Sequence, residues 1–338
     1  MKSFGFQWHL TDRCNLRCAH CYQDDFGPGA ERPLEDLFAM VDAVLGALRD
    51  RPVSINLTGG EPLLLPGLPA LLEHLSSQPN LSEMHVITNA TVTAGPVLEA
   101  LARYERVRYL KVSLEAADEA VNDRVRGPGN LARVRRNLGL YRQVTGKPFV
   151  LMMTLGRHNV GGVAAMAALA REVGAAGVIY ERFVPLGQSR GFAAEVLGAE
   201  GWAHAVAGVL DAAGSEATPD ELLAYRAFWL WTDGREDPLE GALCNLGEGS
   251  MALMPDGTVY PCRRLPIPVG NVLREPFPRI LARLQEFGVP ALAPRLTGGL
   301  CGLCGVEGCA GCRALARALH GDILADDPQC PLRLAEER

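Results

Sequence analysis

Three cysteines within eight residues are the first chemistry this chain offers. Cys14, Cys18 and Cys21 are spaced C-x3-C-x2-C, directly after an apolar run. Three thiolates on one short loop can hold three irons of a cubane [4Fe–4S] cluster and leave the fourth without a protein ligand. An open metal position marks a reactive site, because a substrate can occupy it. A zinc site borrowing His9 or His20 as its fourth ligand would use the same residues. The next 222 residues contain no cysteine, and then come Cys244, Cys262, Cys301, Cys304, Cys309, Cys312 and Cys330. A reducing cytosol disfavours five disulfides, so ten cysteines read better as metal ligands in two separate regions. A zinc ribbon on Cys301, Cys304, Cys309 and Cys312 would have a four-residue loop between its knuckles, far shorter than such ribbons use.

Other residues stand where strands end. Gly59-Gly60-Glu61-Pro62 follows a strand-like run. Two glycines let a ligand come close to the backbone, and exposed carbonyls with a carboxylate suit an ammonium. Ser113-Leu114-Glu115 ends a later strand, and Arg126-Gly127 follows it. Arg182 lies in Glu181–Gly187 at the end of another strand, where it can face a ligand or form a structural ion pair.

The elements that must carry these residues alternate. Strands are expected at Phe4–Leu10, Val53–Leu57, Met84–Thr88, Tyr109–Leu114, Phe149–Leu155 and Val178–Val184. Helical spacing of apolar residues fills the gaps, as in Leu34, Leu37, Val41, Val44 and Leu48. Repeated strand–helix units predict an α/β fold with a parallel sheet and right-handed crossovers. Six units make a partial (β/α)6 TIM-like barrel, too few for a closed eight-fold one. The cysteine trio then sits at the end of the barrel where such folds do chemistry, which favours iron–sulfur over zinc. Residues 199–240 read as a helical bridging segment, with Trp202, Trp229 and Trp231 as packing residues. From 241 on, the chain is rich in Gly, Pro and Cys, so bound clusters would have to staple it. The expected division is 1–198, 199–240 and 241–338.

Composition narrows the function classes. Of 338 residues, 48% are apolar and 21% charged, which supports a sizeable core and argues against disorder. The net charge of −6 argues against a nucleic-acid partner. No uncharged stretch reaches 18 residues, so no membrane helix is expected. Met1–Gly5 lacks an apolar secretory core, so a cytoplasmic protein is expected.

Together these motifs resemble the radical S-adenosylmethionine (SAM) superfamily. Cys14, Cys18 and Cys21 match its cluster-binding motif, with His20 at the usual aromatic position. Gly59, Gly60 and Glu61 are similar to the motif that receives the methionine amino group of SAM. Ser113, Glu115 and Arg126 are similar to its ribose and carboxylate contacts, and Arg182 belongs to the sixth-strand signature. The seven later cysteines resemble the SPASM domain, a small Cys-rich iron–sulfur domain with two auxiliary [4Fe–4S] clusters. The usual C-x2-C-x5-C-x3-C is one residue shorter here in each of the last two gaps. The family's interleaved ligation implies one auxiliary cluster on Cys244, Cys262 and Cys312. It implies a second on Cys301, Cys304, Cys309 and Cys330. Two full cubanes need eight thiolates, so one cluster has a non-cysteine ligand or an open iron.

The resemblance implies reductive cleavage of SAM to a 5′-deoxyadenosyl radical, which abstracts hydrogen from a substrate. The electron would come from a donor such as flavodoxin or ferredoxin. A peptide or protein substrate is implied first, as for a maturase of ribosomal peptides (RiPPs). The chain begins almost at its first strand, so such a substrate is expected to need a separate leader-binding protein or direct recognition. A tetrapyrrole of an alternative haem pathway is the other substrate class, with Arg263, Arg264, Arg182 and Arg190 available to its carboxylates. Sulfatase-maturing relatives carry an aspartate base where this chain has Arg263, so that activity is not expected. An iron–sulfur electron-transfer or regulatory module is the non-enzymatic alternative. Gly59-Gly60-Glu61 argues against it, because an electron carrier needs no SAM pocket.

Overall fold

Alternating apolar strands and amphipathic helices build the first half of the computed structural model, which describes residues 3–29, 31–222, 224–296 and 299–336. Met1 and Lys2, part of the segment read as lacking a secretory signal, lie outside these. The strands are β1 (Phe4–His9), β2 (Val53–Thr58), β3 (Leu81–Thr88), β4 (Val107–Ser113), β5 (Phe149–Leu155) and β6 (Gly177–Arg182). They pair in parallel in that order. The crossovers are α1 (Leu34–Ala47), α2 (Leu68–Ser76), α3 (Gly95–Arg103), α4 (Glu119–Arg126) with α5 (Asn130–Thr145), and α6 (Val163–Val173). Strand alternation sorts the residues. Phe4, Phe6 and Trp8 of β1, with Val53, Ile55 and Leu57 of β2, are buried in the core with Met40, Val41 and Val44 of α1. Alternate residues carry polar groups, such as Lys111, whose ammonium donates to Asn56 Oδ1 at 2.8 Å. β1 and β6 do not pair, so the barrel is partial.

Helix α4 falls outside the expected elements, because its eight residues carry little apolar pattern. Its ends define it instead. The Asp118 carboxylate accepts from Val121 N at 2.9 Å, and Gly127 closes it at φ 99°. The helix sets Arg126 at its last residue.

The helical expectation for 199–240 is corrected. Among the described residues of this segment, only α7 (Ala199–Ala213) and a short 3-10 turn are helical. Strand β7 (Tyr225–Trp231) pairs antiparallel with β6, and β8 (Leu239–Leu243) pairs antiparallel with β7. The sequence Tyr-Arg-Ala-Phe-Trp-Leu-Trp is rich in residues that fit a pleated surface, and alternation splits them. Phe228 and Leu230 enter the main core, while Trp229 and Trp231 pack with Tyr109 in a separate small cluster.

Beyond β1 the sheet continues into the C-terminal region. Strand β9 (Ser250–Leu253) pairs parallel with β1, followed antiparallel by β10 (Thr258–Tyr260) and β11 (Gly270–Asn271). The eleven strands run β11-β10-β9-β1-β2-β3-β4-β5-β6-β7-β8. Helix α8 (Phe277–Gln285) packs under β1, with Phe277 edge-on to Phe4. The rest is short helices: α9 (Val289–Leu292), α10 (Leu300–Leu303), α11 (Arg313–His320) and α12 (Arg333–Glu336). A small second core, with Phe183, Leu265, Leu292 and Leu315, lies beneath them. Among the described residues, no helix is long and apolar enough to cross a membrane.

Candidate active site

The loop after β1 carries the cysteine trio and is clamped from three sides. Gly60 N donates to Thr11 O at 2.7 Å, and Glu61 N donates to Arg13 O at 2.9 Å. A Cβ on Gly60 would stand 2.3 Å from Arg13 O, and one on Gly59, at φ 136°, would stand 2.3 Å from Thr11 O. The two glycines are therefore demanded by the cysteine loop itself, whatever ligand also approaches them. On a second side Ala19 N donates to Val125 O of α4. On the third, the segment after β6 bonds back through Ser189 N to Cys21 O and through Gln188 Nε2 to Cys18 O.

This clamping opens a cavity of about 130 Å³. Its walls include Cys14, Cys18, Cys21, Gly59, Gly60, Ser113, Arg126 and Arg182, all expected at the site. They also include Tyr22, Asn89, Thr154, Glu181, Arg263 and Arg264. All ten cysteines are free thiols and partly buried. Burial raises the Cys14 and Cys18 thiols above their ordinary range and pushes Cys21 up to about 11. Buried neutral thiols become thiolates when a cationic metal core enters their cavity. The nearest cation is weakly placed for that, with Arg126 Nη1 at 4.0 Å from Cys18 Sγ. Three thiols around one cavity therefore fit an iron cluster.

Two expected site residues stand behind the wall rather than in it. Glu61 is fully buried, and its carboxylate accepts from Leu63 N, Thr88 Oγ1 and Asn89 N at 2.7–3.1 Å. Burial pushes its pKa up to about 7 against these bonds. It ties the second strand-end loop to the third. Glu115, also fully buried, accepts from His20 Nε2 at 2.8 Å, Arg126 Nε at 3.1 Å and Thr154 N at 3.1 Å. Burial raises its pKa, but His20 and Arg126 outweigh burial and bring it to about 2. Glu115 thus fixes the Arg126 guanidinium at the cavity.

Arg182 faces the cavity and also pairs with Asp327 at 2.8 Å, both nearly fully buried, with Trp202 stacked 4.3 Å from its guanidinium. Asp327 in turn accepts from Cys312 N at 2.8 Å. This pair joins the barrel to the C-terminal thiols. Arg263 and Arg264 both bond Glu181, Arg263 at 2.6 Å. Arg190 is exposed and outside the cavity wall, 3.8 Å from Asp24.

The seven remaining thiols fall into two groups. Cys301, Cys304, Cys309 and Cys330 line one small cavity, together with Arg182, Arg226 and Asp327. Cys244, Cys262 and Cys312 pack instead against the second apolar core. Burial pushes Cys244 up to about 11, and Cys312 and Cys262 are near enough to raise it further. Cys309 and Cys312 are three residues apart yet fall in different groups. Gly311, at φ 65°, lies in the turn between them. Arg226 was missed by sequence reasoning because a lone strand arginine carries no motif. Glu181 stood inside the sixth-strand signature without a role.

A model of the radical SAM superfamily matches residues 8–170, and one of an iron–sulfur cluster-binding domain, SPASM, matches residues 244–305. Together they take in about two thirds of the chain. AdoMet-dependent heme synthase of Methanosarcina barkeri is 28% identical, over 96% of this chain and 95% of its own. The mycofactocin maturase MftC of Mycobacterium ulcerans is 30% identical over 50% of this chain and 44% of its own. In fold, the chain is similar to SuiB of Streptococcus suis bound to S-adenosylmethionine. That likeness has a TM-score of 0.70 and 14% identity, over 97% of this chain and 77% of that one. The cofactors are accordingly SAM, a [4Fe–4S] cluster of the radical SAM domain and auxiliary iron–sulfur clusters of the SPASM domain. With its thiol-lined barrel mouth and its two further thiol groups, the chain belongs to the radical SAM superfamily and carries a SPASM domain.

Proposed function

We propose that this protein is an enzyme that cleaves SAM reductively and takes a hydrogen atom from a carboxylate-bearing tetrapyrrole. Cys14, Cys18 and Cys21 would hold the radical cluster. Cys244, Cys262 and Cys312 would hold one auxiliary cluster, and Cys301, Cys304, Cys309 and Cys330 the other. When bound, cluster and SAM supply a hydrogen-abstracting radical; the protein's own residues bind, orient and exclude water. Gly59 and Gly60 offer bare backbone to the ligand, while Ser113 and the Glu115-anchored Arg126 offer polar groups. Phe26, Ile87, Met152 and Phe183 supply apolar wall that keeps water from the reacting carbon.

The observation that carries the substrate class is the pair Arg263 and Arg264 on the single carboxylate Glu181. Two guanidiniums on one carboxylate leave positive charge facing the cavity. Arginine forks suit carboxylates. The relative named as a heme synthase matches nearly end to end, which supports the same reading. An electron donor of the flavodoxin or ferredoxin type belongs to this proposal.

Titrating a carboxylate-bearing iron porphyrin into the reconstituted enzyme tests it. A shift in the visible absorption is expected, with binding weakened at least tenfold in R263Q/R264Q, about 1.4 kcal/mol. 5′-Deoxyadenosine should form together with porphyrin conversion. A second reading, a peptide substrate, is favoured by the maturase relative. It predicts no absorption shift and a loss of about two hydrogens from the peptide mass per crosslink. That outcome would replace the tetrapyrrole reading.

A further inference from the structure

Arg226 enters the C-terminal thiol region from the barrel sheet. It sits on β7, and its guanidinium reaches the small cavity that Cys301, Cys304, Cys309 and Cys330 share. Its Nη2 lies 2.7 Å from Cys309 Sγ. The other guanidinium–sulfur contacts are longer, with Arg313 Nη2 at 3.5 Å from Cys301 Sγ and Arg126 Nη1 at 4.0 Å from Cys18 Sγ.

Arg182 is paired with Asp327. Arg313 donates to the carbonyls of Ile323 and Ala325 at 2.7 Å each. The Asp326 carboxylate accepts from Leu300 N and Cys301 N. Arg226 also acts through space on Cys312 and Cys244 of the other thiol group and on Asp327. It therefore stands between the two groups and donates to a sulfur of one of them.

We propose that Arg226 is a positioning residue that raises the reduction potential of the cluster held by Cys301, Cys304, Cys309 and Cys330, through its bond to the Cys309 sulfur. This rests on the assignment of those four thiols to one cluster. Reduction adds negative charge that spreads onto the ligand sulfurs. A partly buried guanidinium donating to a ligand sulfur stabilises the reduced form more than the oxidised one. Low local dielectric strengthens that preference. The other auxiliary cluster feels the same charge only through space, so its potential responds less.

The test uses the full-length chain with Cys14, Cys18 and Cys21 changed to Ala, so that only auxiliary clusters give paramagnetic signals. Arg226→Met keeps the apolar stem without charge, and Arg226→Lys keeps the charge without the fork. Potentials are read from an anaerobic redox titration followed by electron paramagnetic resonance, alongside iron counts. In Arg226→Met, one of the two signals is expected to shift its one-electron equilibrium about tenfold toward the oxidised form, about 59 mV more negative. Arg226→Lys should shift the same signal less, and the second signal should move less in both. Unchanged potentials at full iron overturn the proposal. If Arg226→Met loses iron, Arg226→Lys decides: a lowered potential supports the role, and an unchanged one overturns it. Loss of four irons in both variants overturns it too, making Arg226 a structural clasp. A parent protein holding fewer than about eight irons, four per cubane, breaks the thiol assignment and the proposal with it.

Discussion

The barrel mouth and the C-terminal thiol region solve one problem, holding cysteines around a cavity, by different means. At the mouth the three thiols ride on one loop, and backbone hydrogen bonds from strand ends on either side hold that loop against a large apolar core. In the C-terminal region the thiols come from turns and helices as short as α10, over a small core, and buried arginines lie among them. The first arrangement is held by hydrogen bonds that need no metal and leaves a cavity with room for a ligand. The second leaves a small cavity and has little but its metals to order it.

Breaking the mouth should have the largest effect. Cys14→Ala/Cys18→Ala/Cys21→Ala is expected to abolish 5′-deoxyadenosine formation and lower iron from about twelve to about eight per chain, four per cubane. Persistent SAM cleavage in that variant would remove the trio from the mechanism.

Metal removal should separate the regions next. Chelation is expected to expose residues 290–336 to limited proteolysis while the barrel resists, because cluster binding supplies folding energy where the apolar core is small. Equal cleavage throughout would mean that the C-terminal region is ordered without its metals.

A single methyl group sharpens the comparison. Gly60→Ala places a Cβ against Arg13 O, and the resulting shift of the cysteine loop should cost about 1–3 kcal/mol. SAM cleavage is expected to fall more than tenfold, about 1.4 kcal/mol or more in the barrier. The auxiliary iron should not change. Wild-type turnover in Gly60→Ala would show that the loop does not need this close approach.

The smallest effect concerns acid. The pKa of Glu115 lies at about 2, below its ordinary value near 4.5. Its charge therefore stabilises the fold fully above the ordinary value, and that contribution is lost as pH falls toward 2. Between about pH 5 and pH 3, metal-free wild type should lose more of its urea midpoint than Glu115→Gln does. Parallel losses would place the acid sensitivity elsewhere.

Much of the fold was legible because it is local. Phe149–Leu155 is a near-continuous apolar run, as a strand buried on both faces must be, and the helix from Leu34 shows its apolar stripe. Residues 225–243 were not legible as strands from the pattern used. Their aromatics suit a packed helix as well as a sheet, and pairing with β6 made the choice. Helix α4 depends on its cap and its terminal glycine more than on any periodicity.

By itself the sequence determined the chemical inventory: ten thiols, their spacing, the paired glycines, and the strand–helix units that bring a loop of three cysteines to a barrel mouth. Spacing constrains which thiols share a loop, because a short chain cannot spread. Only the tertiary structure decided which groups face a cavity and which stand behind it. Glu61 and Glu115 stand behind the wall as anchors, since each finds hydrogen-bond donors on elements distant in sequence, Asn89 for the one and Thr154 for the other. Cys309 and Cys312 part company across one turn. Arg226 reaches a sulfur 83 residues away, because side-chain direction is set by long-range pairing of β7 with β6 rather than by its neighbours in the chain.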